Sequence, residues 1–574
     1  MFNIASTKID KSKISLKEVI VVSVIYLCVI SFILRVQLET GFNILTGDRY
    51  DGLIENSLLE HWYNVFRGKS AWNIVGYFSP YPNTLGYNDG YFLYGLIASF
   101  FRFSGIDIFL SAELVNIVLR TIGYYSFYAL CRRCIGLKPF LAITGASIFT
   151  LNNNLVLQSG HAQLLSVALS PLLTLLLYRY MLFLTSGNSR KKAILYGSAS
   201  GILLGSWLLS TFYMAWFFIF FTMILTIFIV LISYWEKRRH NESFIRPSFN
   251  AYEIIIPAIV TLLSFLPFLI VYLQSAKKVG VHHFGEVLSY TPRLTNLLNP
   301  GDTNFLFGKL SQHYFSIFPP NFQLGGEFMV GFPPVILIVS LVSLIYFFKN
   351  SAFTIESVLI RSLLLAVILS LLLMIKFGNH TLWKLVWELV PGAKGMRVTA
   401  RYALFLNFPI TVLVVYFLGK VARYKYKGLT IILACLLIME QINLGRSQWL
   451  NRQEQLNFIK QAEEPPPSCR SFFVSGQRLD ESLNKKDDAT YNVYAHNVDA
   501  MLLSEIFALR TINGFSTFNP SDWDFGFQPH ETYISRVDNY INKHHIQTGL
   551  CEYDLYTSRW HTHTGISTLP LKVQ

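Results

Sequence analysis

Charged residues are scarce in this chain. Only 14% of its 574 residues are Asp, Glu, Lys or Arg, while 52% are hydrophobic. A soluble protein of this size carries about 25% charged residues. The balance excludes a cytosolic globular enzyme and a disordered chain. Six cysteines are too few for a disulfide-dense small domain. Cys28, Cys131, Cys134 and Cys435 lie in or beside apolar stretches; only Cys469 and Cys551 lie in the polar tail. There is no P-loop, Gly-rich nucleotide fingerprint or nucleophile elbow. The histidines His544, His545, His561 and His563 have no closed zinc spacing, so no metal site is expected there.

What is present is apolar sequence in long runs. The mean hydropathy is +0.40, and Phe (47) and Tyr (31) are abundant, as where helices cross lipid interfaces. Roughly 20 apolar residues cross a bilayer. By that measure the chain carries about eleven spans, near 18–36, 107–131, 139–157, 163–183, 193–210, 212–234, 252–273, 329–348, 357–376, 402–419 and 429–446. The apolar stretch Tyr91 to Phe103 is too short and reads as interfacial. Asn152, Asn153 and Asn154 interrupt one span and are expected to split it into half-helices.

A net charge of +14 suggests a nucleic-acid partner, but the distribution argues against one. Up to residue 446 there are 37 Lys+Arg against 19 Asp+Glu; beyond it there are 11 against 15. The basic residues collect in short intervals between spans: Lys8, Lys11, Lys13 and Lys17; Arg132, Arg133 and Lys138; Arg190, Lys191 and Lys192; Lys237, Arg238, Arg239 and Arg246; Lys349; Lys420, Arg423, Lys425 and Lys427. By the positive-inside bias these intervals and the N-terminus face the cytoplasm. The longer segments 37–106, 274–328 and 377–401, and the tail, then face outward. The expected fold is an all-α polytopic membrane protein of about eleven helices, residues 1–446, followed by an extracytoplasmic α/β domain, residues 447–574. In the tail, Arg470 to Ser475 and Ala508 to Phe515 read as strands. Glu531 to Asn542 reads as a helix with Ile534, Val537 and Ile541 on one face. An outward tail is in an oxidising compartment, which predicts a Cys469–Cys551 disulfide.

Candidate chemistry lies in the outward segments. Asp48 and Asp51 stand in Gly47-Asp48-Arg49-Tyr50-Asp51-Gly52 just after the first span. A carboxylate there can take a proton from a substrate hydroxyl, or cap the helix that follows. Asp89 is a further acid, able to bind sugar or cap a helix. His161 and Gln163, in SGHAQ, are polar groups at the boundary of the third span. Lys394, Arg397 and Arg401 are cations on the outward side, against the usual bias, and suit a lipid-linked phosphate. Lys277 and Lys278, with His282, His283 and Glu286, form a second cluster.

Several stretches in order, GDRYDGLIENSLLEHWYNVFRG, YFSPYPNTLGYNDGYFLYG, SGHAQLLSVALSPLL, HHFGEVLSYTPRLTNLLNPGDTNFLFG, PGAKGMRVTARY and TINGFSTFNPSDW, resemble a bacterial branch of the GT-C superfamily of membrane glycosyltransferases. The resemblance covers most of the chain. It implies transfer of a sugar from a polyprenyl-phosphate donor to an envelope glycan or glycolipid, such as lipopolysaccharide O-antigen, on the periplasmic face of a bacterial plasma membrane. It implies Asp48 as the acceptor-activating base, with Asp51 as second choice. Asp89, His161, Gln163, Glu286, Lys394, Arg397 and Arg401 would bind substrate. It names no definite cofactor, and a divalent cation is compatible. With no second carboxylate placed as a nucleophile, inversion is expected. A polyprenyl-diphosphate glycan polymerase or ligase is the alternative enzyme reading; a lipid or glycan transporter would need broken helices in repeated positions, and no repeat is visible.

Overall fold

The computed structural model describes residues 15–239, 250–317, 325–349, 354–422, 426–445, 449–478, 489–526 and 531–562. Lys8, Lys11, Lys13, Arg246, Arg423, Lys425 and His563 lie outside the described residues. The chain divides into two units: Met1–Leu38, Asn116–Leu266 and Val281–Ser447 in one, Glu39–Val115, Pro267–Gly280 and Gln448–Gln574 in the other.

Among the described residues nine helices are long and apolar enough to cross a membrane: Leu16–Ile33, Ile108–Cys134, Pro139–Leu157, Ala162–Ser186, Arg190–Ser210, Phe212–Arg238, Tyr252–Val279, Ile355–Met374 and Thr399–Val421. Two of the eleven expected spans are shorter helices, Pro334–Lys349 and Lys427–Met439. One interaction joins the end of the second to the start of the first. The Glu440 carboxylate turns back and accepts from the Val335 and Ile336 amides at 2.7 and 2.8 Å. It ends its own helix and caps the start of the other, which begins at Pro334. The Phe92–Phe103 helix has 12 residues, about 18 Å of rise, well under a bilayer core of about 30 Å.

The first unit is built around Tyr402–Val421. Apart from Asn407 and Thr411 its sequence is largely apolar until Lys420, and it is buried almost throughout. It packs against Pro139–Leu151, Phe212–Arg239, Pro334–Lys349 and Ile355–Met374. Tyr402 anchors its start, stacked on Phe217 at 4.7 Å and hydrogen-bonded to Ser370 at 2.9 Å. The Arg190–Ser210 helix meets residues 257–264 through a stripe of small residues. A Cβ on Gly201 would lie 2.1 Å from Thr261 Oγ1, and one on Gly205 2.4 Å from Ser264 Oγ. Backbones approach this closely only across glycine, a recurring means of helix association in lipid. Ser264 Oγ donates to the Gly201 carbonyl at 2.8 Å.

The second unit holds a four-stranded sheet in the order Arg510–Thr511, Ser471–Ser475, Leu550–Asp554, Arg559–Thr562, the first three parallel and the last antiparallel. Side chains alternate across the central strand. Phe472 and Val474 join Val498, Leu502 and Leu503 on one face. Phe473 joins Val537, Tyr540 and Ile541 of the Tyr533–His544 helix on the other. Ile534, expected on the buried face of that helix, is 40% exposed; Tyr533 and Tyr540 fill the face instead. The tail shares this unit with the first long polar segment. Thr511 N donates to Gly76 O and Ser79 N to Thr511 O, both at 2.8 Å. Ile44–Leu45 pairs antiparallel with Leu450–Asn451. Cys469 and Cys551 are joined by a disulfide, with Cα atoms 5.7 Å apart.

Gly201→Leu should overpack the glycine stripe at a cost of about 2 kcal/mol. A melting curve of the detergent-solubilised protein should shift down by several degrees. An unchanged melting temperature would mean that the close approach does not support the fold.

Candidate functional site

In the first unit a chain of charged and aromatic side chains gathers residues from five separate segments. Arg401 closes a two-pronged ion pair on Glu327, with Nε 3.1 Å from Oε2 and a second nitrogen on Oε1. His161 Nε2 lies 3.3 Å from the same carboxylate. Burial would raise the Glu327 carboxyl, but Arg401 and His161 outweigh it and hold it well below the usual carboxylate range. The Arg401 guanidinium also sits 5.3 Å over the Tyr213 ring. The Tyr213 hydroxyl accepts from the Arg397 and Val398 amides at 2.8 and 3.3 Å.

Arg397 continues the chain. Its guanidinium lies 5.0 Å over the Tyr290 ring and 3.7 Å from Glu286 Oε1. Glu286 Oε2 is 2.8 Å from His282 Nδ1. Burial lowers the His282 pKa against the pull of Glu286, so the ring is neutral near pH 7. The His282 amide donates to the Lys394 carbonyl at 3.1 Å. The exposed Lys394 ammonium rests 4.7 Å over Trp387. The turn carrying these cations is shaped by Gly392, whose φ is +85° and where a Cβ would meet Trp216 Nε1 at 2.9 Å. That indole donates to Pro391 O at 2.9 Å.

The geometry separates the two arginines. Arg401 is buried and its fork is taken up by Glu327. Arg397 is one-third exposed, its carboxylate neighbour is beyond hydrogen-bond distance, and its Nε has no hydrogen-bond partner among the described residues. Gln163 is half-buried in the Ala162–Leu169 turn beside His161.

A buried amide network sets the position of His161 and Glu327. The Pro139–Leu151 helix stops at Asn152, and a short helix restarts over Asn153–Leu157. Asn153 Oδ1 accepts from Asn304 and Asn443 at 3.0 and 2.8 Å, and its Nδ2 donates to Pro300 O at 2.9 Å. Asn154 donates to Val330 O at 3.0 Å. Gln158 donates to Gly326 O and Met329 O, at 2.9 and 3.2 Å, gripping the backbone on both sides of Glu327. The His161 amide in turn bonds Gln158 O at 3.0 Å.

In the second unit Asp48 caps a turn. Its Oδ1 accepts from the Tyr50 and Gly52 amides at 2.8 and 3.3 Å. Gly47, at φ +94°, packs against Gly52 and lets the chain double back. Asp51 opens the Asp51–Phe66 helix. Asp89 follows Asn88, whose carbonyl accepts from the Tyr272 hydroxyl at 2.7 Å, and precedes Gly90, whose carbonyl accepts from Trp62 at 2.7 Å. Burial first, then Glu55, Asp89 and Asp51 push the Tyr91 hydroxyl well above its ordinary pKa. The three acids therefore share one electrostatic neighbourhood. Glu55 is 5% exposed, and its Oε1 has no hydrogen-bond partner among the described residues. Burial, reinforced by Glu113, raises its pKa to about 8. Glu113 itself accepts from Thr46 N and Oγ1 at 2.8 and 3.1 Å.

Glu327, Tyr213, Tyr290 and Glu55 escaped the sequence reading. Glu327 had one usable signal, a lone acid after Gly325 and Gly326 at the end of a long polar segment. Tyr213 and Tyr290 had none among so many tyrosines. Among the described residues no group of three His, Cys, Asp or Glu side chains is arranged to hold a metal ion.

The fold and these clusters describe a multi-pass helical membrane protein with a small α/β unit. Three solved structures of the oligosaccharyltransferase of Archaeoglobus fulgidus are similar to it. One, in complex with Zn and sulfate, is 12% identical, with 89% of this chain and 64% of that chain covered and a TM-score of 0.43. A second, named AglB and bound to an inhibitory peptide and a dolichol-phosphate, gives 13%, 94%, 69% and 0.45. The third, tethered to an acceptor peptide with the NVT sequon, gives 14%, 93%, 68% and 0.44. This chain thus spans about two thirds of the length of those chains. No family model and no curated protein matches the chain.

A carboxyl group with a folded pKa above its unfolded value holds its proton longer in the folded state. Stability then falls as pH rises from the unfolded value toward the folded one. For Glu55 that window runs from about 4.5 to about 8. Glu55→Gln should flatten the fall in melting temperature between pH 5 and 8 and raise stability most at pH 8. A variant with the wild-type pH slope would place the titration elsewhere.

Proposed function

We propose that the protein is a glycosyltransferase that moves a sugar from a polyprenyl monophosphate to a hydroxyl of an envelope glycan or glycolipid. The observation that carries this reading is Arg397: a part-exposed guanidinium with unused donor capacity, stacked on Tyr290, with Lys394 in the same turn, in a protein of membrane-length helices. A phosphate on a lipid needs cationic donors of this kind at headgroup level. Arg401 supports the turn through Glu327 and leaves Arg397 to meet the ligand.

Asp48 is the acceptor-activating base in this reading, with Asp51 and Asp89 supporting it. The acceptor O–H proton passes to a carboxylate oxygen. The acceptor oxygen attacks the anomeric carbon, the bond from that carbon to the phosphate oxygen breaks, and the phosphate leaves with the electron pair and is stabilised by Arg397. One displacement inverts the anomer. The setting we propose is the outer face of a bacterial plasma membrane, with the N-terminus cytoplasmic. His161, Gln163, Glu286 and Lys394 line the donor and acceptor paths.

The test uses the purified protein in liposomes with radiolabelled polyprenyl monophosphate glucose, mannose and N-acetylglucosamine, and envelope glycolipid as acceptor. Transfer from one of them is expected. Arg397→Gln should raise KM for the donor about 10–100-fold, the worth of a charge-assisted hydrogen bond. Asp48→Asn should lower kcat about 10²–10⁴-fold at near-normal KM, and Asp51→Asn should cost less. Absence of transfer from all three donors, or full turnover in all of Asp48→Asn, Asp51→Asn and Asp89→Asn, would end this reading.

A further inference from the structure

We infer that Asp499, on the tail helix Ala489–Phe507, is a positioning residue for the Asp48 turn and acts through Arg49. The inference rests on the assignment of Asp48 as base made above. Arg49 stands between the two acids Asp48 and Asp51 in sequence. Its guanidinium is 7% exposed and lies 2.7 Å from Asp499 Oδ2, which is 1% exposed. The other Asp499 oxygen takes Arg478 at 3.1 Å. Arg478 in turn stacks 3.8 Å over Phe458 and donates to Gln455 at 2.9 Å. Asp499 is therefore held from one side by the tail and holds the turn from the other.

A buried ion pair has a steep dependence on geometry, because neither charge finds water if the contact opens. The turn it secures is short. Asp48 Oδ1 bonds the amides of Tyr50 and Gly52, so a shift of Arg49 moves the backbone that orients the carboxylate. The tail grips the same turn once more, where Trp449 N donates to Gly47 O at 3.0 Å. The tail helix also secures the segment that follows: Glu505 accepts from Gly76 N at 2.8 Å and from Asn64 Nδ2 at 3.1 Å. A polar tail would not need to bury two charges beneath an acidic turn merely to fold. The arrangement has a clear use if the direction of Asp48 matters to within a fraction of an ångström.

The experiment uses the full chain in detergent or nanodiscs. Hydrogen exchange of the peptide carrying the Tyr50 and Gly52 amides is compared in wild type, Arg49→Gln and Asp499→Asn. Faster exchange there, with the Ser471–Ser475 and Leu550–Asp554 strands unchanged in Arg49→Gln, is expected. With the polyprenyl monophosphate sugar that is turned over in the assay above, Arg49→Gln should lower kcat about 10–100-fold, the usual cost of a misplacement near 1 Å. KM for that donor should hold within about threefold, since positioning acts on the chemical step. Adding Arg49→Gln to Asp48→Asn should cost nothing more, because both act through one group. Arg49→Lys keeps the charge and should show the same pattern at lower amplitude, which serves where Arg49→Gln loses the fold. Wild-type exchange of the turn, or losses of Arg49→Gln and Asp48→Asn that multiply, would overturn the role of Asp499. Full turnover in Asp48→Asn would instead remove the base assignment and this inference with it.

Discussion

A backbone amide or carbonyl inside an apolar span has no water to turn to, and every break in a membrane-length helix must be satisfied by the protein itself. This constraint organises the first unit. The chain breaks at Asn152, and the amides of Asn153, Asn154 and Gln158 meet the freed polar groups of that region and of the segments 299–304, 326–330 and 440–443. Glu440 does the same for the start of the Pro334–Lys349 helix. These bonds are structural in origin, yet they carry the consequence for chemistry. They hold the backbone on either side of Glu327 next to the backbone that bears His161.

Electrostatics then sorts the cations. Three positive side chains, Lys394, Arg397 and Arg401, share one short stretch, and two acids from distant segments answer them. Glu327 is bound tightly to Arg401, whereas Glu286 stays 3.7 Å from Arg397 and is drawn toward His282. A buried guanidinium without a carboxylate would be strongly destabilising, which explains why the deeper arginine has the closer partner. The shallower one keeps its donors, and aromatic faces at Tyr290 and Trp387 hold Arg397 and Lys394 in place without neutralising them.

The second unit shows a different division of labour. A three-stranded parallel sheet with one helix on each face and an antiparallel edge strand would be a small domain with a thin core. It gains a further layer from the first long polar segment, which adds hydrogen bonds at Gly76 and Ser79 to the Arg510–Thr511 edge and a short pairing at Ile44–Leu45. An exposed strand edge is thereby covered. Residues more than 400 positions apart in the chain form one folded body. The acid turn at Asp48 is part of that body, which is why its geometry is tied to the tail.

Much of this was legible without coordinates. Hydropathy alone marks the nine helices of membrane length found among the described residues, because a span needs only local apolar sequence and its period. The strand at Ser471–Ser475 and the helix over Tyr533–His544 were visible in the same way. The motifs SGHAQ and PGAKGMRVTARY pointed to His161, Arg397 and Arg401, since polar residues beside spans are few. Two further expected spans are apolar helices of shorter length, and Glu440 at the end of one caps the start of the other about a hundred residues earlier, a reach that no local pattern announces. Ile534 faces out because Tyr533 and Tyr540 fill the core, a matter of volume that periodicity does not measure. Which arginine is spent on a carboxylate, which acid loses its charge in a dry core, and which tail residue grips the Asp48 turn were all decided by tertiary structure. Local sequence determines where a chain is apolar; burial and pairing between distant segments determine what each charged side chain is free to do.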